Sequence, residues 1–96
     1  MLVRLVRIVR SGRDYTLKQI YVNPLQISYI QEDEDHKVKL KEHIVSLNLH
    51  ESTGFSKIRL DNGGSFEEIT VLGSPEMIHE KIQAKVTNSR KQLLRD

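Results

Sequence analysis

Ninety-six residues, 38% hydrophobic and 29% charged, make one globular domain and leave no room for a second independent core. The absence of cysteine excludes disulfides, a thiol nucleophile and a cysteine-ligated zinc. A formal net charge of +2 does not by itself imply nucleic acid, and no apolar run is long enough to span a bilayer, so a cytoplasmic domain is expected.

The chain opens Leu2-Val3-Arg4-Leu5-Val6-Arg7-Ile8-Val9-Arg10, with arginine at every third position. That repeat fits neither the strand period of about 2 nor the helical period of about 3.6. The β-branched valines and isoleucine decide for a strand. Ser11-Gly12 then reads as a hairpin turn and Asp14 to Val22 as the returning strand. Arg4 and Arg10 share one face of the first strand and Arg7 takes the other. A segment apolar on both faces calls for burial on both sides or for pairing with another subunit, so a homo-oligomer is expected.

Asn23-Pro24 ends that hairpin, because proline donates nothing to a ladder. Leu25, Ile27 and Tyr29 alternate with polar residues as a short strand, followed by an acidic, solvated turn over Glu32, Asp33, Glu34 and Asp35. Val38 and Leu40 alternate with Lys37, Lys39 and Lys41, a half-buried strand with a lysine-coated outer face. Val45, Leu47 and Leu49 continue the alternation, in one bent strand or two. Ile58 and Leu60 form the next strand. Asp61-Asn62-Gly63-Gly64, read as a type I′ turn, joins it to a strand holding Phe66, Ile69 and Val71. Ser74 caps a helix with Pro75 in its first position, and Ile78, Ile82 and Val86 form its apolar stripe.

The expected fold is therefore mainly β (α+β): a curved antiparallel sheet or small open barrel of five to six strands over residues 1–72. A single C-terminal helix follows over 74–88, then a basic tail over 89–96.

No catalytic pattern emerges. Gly63-Gly64 lacks the lysine and helix start of a phosphate loop. His36, His43 and His50 are read as exposed, since on a strand the last two point to opposite faces. The acidic run lacks the alternating ligands and central glycine of a calcium loop. No enzyme activity, cofactor or metal is expected.

The cations are the distinctive feature. Arg4, Arg7, Arg10 and Arg13, with Lys37, Lys39 and Lys41, are the candidate contacts to a protein partner, arginine being suited to bidentate recognition of carboxylate or phosphate. The plainer account of the arginines is charge protection of an edge strand. An alternative is a nucleic-acid-binding module using Arg4, Arg10, Tyr15, Lys85, Arg90 and Lys91 from the two basic ends, with Tyr15, Tyr21 and Tyr29 available for stacking. A further alternative is an accessory protein of a phage or mobile element that inhibits a host factor or sequesters an anionic ligand. Salt response separates these, because phosphate contacts weaken steeply with salt.

The segments Tyr21-Val22-Asn23-Pro24-Leu25-Gln26-Ile27-Ser28-Tyr29-Ile30, Lys57-Ile58-Arg59-Leu60-Asp61-Asn62-Gly63-Gly64 and Ser74-Pro75-Glu76-Met77-Ile78 resemble the small FlbD/SwrD-type proteins. That family orders a strand, an Asn-containing turn, a short strand, an Asn-Gly hairpin and a terminal helix. The resemblance implies a non-enzymatic interaction module, of a family whose role is accessory to flagellar motility. The chain departs from the pattern by inserting Asp35 to Gly54, expected as an extra hairpin arm.

Overall fold

A computed structural model describes the backbone of residues 1–94 and the side chains of residues 1–87. Five antiparallel strands form one open sheet in the order β2-β1-β5-β4-β3. They are β1 (Val3–Ser11), β2 (Asp14–Val22), β3 (Ile27–Glu32), β4 (Phe55–Asp61) and β5 (Phe66–Leu72); the helices are α1 (Glu34–Lys39) and α2 (Pro75–Leu94).

The first hairpin pairs along its whole length, from Val3↔Val22 to Ser11↔Asp14, around the two-residue turn Gly12-Arg13. Its junction with the rest of the sheet is narrow, since β1 and β5 share a single ladder pair, Arg7↔Val71. A bulge between Ile27 and Tyr29 in β3 shifts the register against β4. Ile27 thereby faces Leu60, and Ile30 faces Ile58, on the same side of the sheet.

That side carries the main core of Val3, Leu5, Val22, Ile58, Ile69, Val71 and Ile78, the last contributed by α2. Ser74 starts α2, its Oγ accepting from the Met77 N–H at 3.3 Å and its carbonyl from the Ile78 N–H. Ile82 packs on the same core one turn later, as the stripe predicts. The helix runs on to Leu94, so the expected boundary at 88 and separate tail are replaced by a continuous element.

The opposite side carries a second cluster of Ile8, Leu40 and Phe55, flanked by Tyr15, Leu17, Leu47, Leu49 and Leu72. β1 is thus buried on both faces by its own chain, which removes this strand's argument for a second subunit.

The cover on that second face corrects the strands expected from Val38 to Leu49. Lys37 to Lys39 lie in α1, and residues 40–48 form successive turns with Asn48 left-handed at φ 59°. Asp33 caps α1, with Glu34 and Asp35 in the first turn and lysines in the last, an order that complements the helix dipole. Val38 is 74% exposed while Leu40 is fully buried, so the two valine and leucine positions do not share a face. The inserted segment is accordingly a helix-and-turn cover rather than a hairpin arm.

Two smaller expectations also change. Leu25, 90% exposed, lies in a 3-10 turn over Pro24–Gln26 ahead of β3. The β4–β5 connection spans Asn62 to Ser65, closed by the Asn62 N–H donating to the Ser65 carbonyl. Gly63 is left-handed there (φ 61°) and Asn62 is not, which excludes the type I′ turn.

Candidate functional site

The acidic run is not a uniform solvated turn. Asp33 is 4% exposed, its Oδ1 accepting from the His36 N–H at 3.0 Å and its Oδ2 from the Thr70 hydroxyl at 2.8 Å. His36 Nδ1 stands 3.0 Å from the same Oδ2. Burial pushes the Asp33 pKa up, but the His36 N–H, the Thr70 hydroxyl and the positive charges of His36 and Lys57 outweigh it and leave the carboxyl below its ordinary value.

A threonine, a histidine and an aspartate in one cluster invite comparison with a nucleophile–base–orienter relay. Thr70 Oγ1 lies 3.5 Å from His36 Nδ1, the nitrogen that Asp33 also approaches. A relay needs the orienting acid and the nucleophile on opposite ring nitrogens. This cluster is therefore a helix cap that ties α1 to β5.

The other histidines also have local partners. His43 meets the edge of the Tyr15 ring at a centroid distance of 5.2 Å, and His50 Nδ1 lies 2.7 Å from Ser52 Oγ. Of the three histidines expected to be exposed, only His50 is; His36 and His43 are half-buried. Among the described residues no group of three or more His, Asp or Glu is placed to hold a metal ion.

The expected cationic contacts divide into separate places. Arg7, half-buried, reaches Glu67 Oε1 at 3.5 Å beside the Arg7↔Val71 pair, so it serves the junction between hairpin and sheet. Arg10 and Arg13 are exposed at the hairpin tip, with Arg10 Nε donating to the Gly12 carbonyl at 2.9 Å. Arg4 lies about 20 Å from Arg10 along the strand. Lys37 and Lys41 border a different cleft with Val38, Ile44, Val45 and Glu51. Lys39 is exposed on α1.

The nucleic-acid set divides as well. Tyr15 is half-buried against the second cluster, its ring in edge contact with His43. Arg10 sits at the far end of the hairpin, and the side chains of Arg90 and Lys91 lie outside the described residues. Arg4 and Lys85 do meet. With Leu2, Val3, Tyr21, Lys81 and Ala84 they line a shallow cleft of about 310 Å³. Tyr21 is 59% exposed, and it sits opposite Arg4 in the hairpin register.

Sequence reasoning missed Lys81, although its four-residue spacing from Lys85 puts both on one helical face. It also missed a groove of about 580 Å³ between α2 and the outer strand β3, lined by Pro24, Ile27, Ile30, His79 and Ile82 among others. On the far face, Tyr29 donates its hydroxyl to Glu68 Oε2 at 2.7 Å, and Arg59 stacks 3.9 Å above the Phe66 ring.

The chain matches no protein-family profile, no curated protein and no solved structure. No helix among the described residues is long and apolar enough to cross a membrane.

Proposed function

We propose that this chain is a non-catalytic interaction module that engages an acidic surface of a protein partner through the tip of its first hairpin. One observation supports the reading most. Arg10 and Arg13 are exposed at the turn, and neither has a carboxylate within ion-pair distance among the described residues, in a chain that contains 13 acidic side chains.

A structural arginine at a sheet junction finds a carboxylate, as Arg7 finds Glu67. Two that lack a carboxylate beside a tight turn keep donors for a ligand, those of Arg13 and the terminal nitrogens of Arg10, whose Nε is bonded to the Gly12 carbonyl. The planar guanidinium forks favour carboxylates in bidentate geometry. The hairpin is anchored from behind by Ile8, Tyr15 and Leu17 in the second cluster, so its tip is presented on a rigid base. Preorganisation of this kind lowers the ordering cost of binding.

The test is an amide chemical-shift titration of labelled protein with poly-glutamate at about 50 mM salt. Shifts centred on residues 10–14 are the expected result. Absence of shifts there, with a folded spectrum, overturns the reading.

A further inference from the structure

We infer that the cleft between the start of β1, Tyr21 and the middle of α2 is a binding site for single-stranded nucleic acid. It lies at the opposite end of the hairpin from the proposed protein contact and makes a different offer. Arg4, Lys81 and Lys85 converge on it, no carboxylate lines it, and none of the three has an ion-pair partner among the described residues.

Three cations alone specify an anion and no more. The neighbouring apolar surface narrows the class. Tyr21 and Leu2 are both more than half exposed at the rim of the cleft, although each is large enough to gain by burial. An exposed aromatic ring in a cleft lined by cations suits an unstacked base while the cations follow the backbone. Lys81 and Lys85 are separated by about 6 Å along the helix axis, so they can contact neighbouring phosphates of one strand.

A duplex hides its base faces in the stack and offers Tyr21 nothing. An acidic polypeptide satisfies the cations and equally leaves the ring unused. The combination therefore favours a single strand. Binding here is sequence-tolerant, because every base has a face to stack and nothing in the lining reads base edges as a paired donor–acceptor set.

Fluorescence anisotropy of a labelled oligothymidylate, with a duplex of the same length and poly-glutamate as comparisons, tests the site. The single strand binds at least about tenfold more tightly than the duplex at equal salt. Its log K falls against log salt with a slope of about −2, as three phosphate contacts require. Tyr21→Ala weakens binding about tenfold and leaves the slope unchanged, whereas Lys85→Ala weakens it and reduces the slope by about 0.7. Both side chains are exposed, so circular dichroism of the variants stays that of the parent. Equal affinity for duplex and single strand, no effect of Tyr21→Ala, or no binding of the oligonucleotide overturns the inference. Poly-glutamate shifts at the hairpin tip without oligonucleotide binding sink this site alone. Oligonucleotide binding without those shifts sinks only the protein-partner reading.

Discussion

The Thr70 hydroxyl donates to Asp33 Oδ2 at 2.8 Å, joining residues 37 apart in the chain. Through this contact the middle of β5 fixes the start of α1, and with it the cover of the second core. Asp33 also caps α1 through the His36 N–H, and its own N–H donates to the Phe55 carbonyl. One buried carboxylate thus serves a cap and a cross-sheet tie.

Asp33→Ala removes both acceptors and leaves the Thr70 hydroxyl buried without its partner. A loss of about 1–3 kcal/mol in urea unfolding is expected. Thr70→Val, which deletes the donor but keeps the shape, costs less, because the carboxylate keeps the His36 N–H.

The depressed pKa of Asp33 has a defined pH consequence. A carboxyl whose folded pKa lies below its unfolded value stabilises the fold above the unfolded pKa, about 3.9, and loses that contribution as the pH falls through the folded value. Unfolding of the parent and of Asp33→Asn, compared across this acid range, converges as the pH drops. A constant difference at every pH contradicts the assignment.

Tyr29 titrates in the opposite sense. Its hydroxyl donates to Glu68, and that bond, with partial desolvation and the nearby carboxylate charge, holds the phenol above its ordinary value. Ultraviolet titration of a variant that keeps Tyr29 as its sole tyrosine follows this phenol, and Glu68→Gln lowers its midpoint.

Leu40 and Val38 separate the helix-and-turn cover from a lysine-coated strand. Leu40 is fully buried against Ile8 and Phe55, so Leu40→Ala costs about 2–5 kcal/mol. Val38→Ala, at a position 74% exposed, changes stability by less than about 0.5 kcal/mol. Two strand positions on one buried face respond alike.

Gly73 makes the switch from β5 into α2. Its φ of 116° is one that side-chain-bearing residues avoid, and an added Cβ meets Ile78 Cδ1 at 3.0 Å. Gly73→Ala is expected to destabilise by more than about 1 kcal/mol. Gly64→Ala, with nothing within 4 Å and no left-handed φ, is the matched comparison and stays near neutral.

The parts of the fold legible in the sequence are those set by local chemistry. Ser74-Pro75 marked the helix start, and Ile78 and Ile82 marked its buried face. The first hairpin was legible, but its turn falls at Gly12-Arg13, one residue beyond the expected Ser11-Gly12, so the register that sets Arg4 opposite Tyr21 was not. The cleft lined by Arg4, Tyr21, Lys81 and Lys85 depended on that register and on where α2 packs against β1, neither of which local sequence sets. The segment from Glu34 to Leu49 failed because six residues alternating in polarity do not distinguish a strand from a short capped helix. Asp33 held the information as an N-cap, but its burial depends on Thr70, far away in sequence. The end of α2 escaped because Thr87-Asn88-Ser89 are weak helix formers that the helix nevertheless passes through.

The most direct check of the interaction reading is charge reversal at the hairpin tip. Affinity for poly-glutamate should fall by at least about tenfold in the double variant Arg10→Glu, Arg13→Glu, with the thermal unfolding midpoint held near that of the parent. Undiminished affinity in that folded variant would contradict the assignment of the tip as the partner contact.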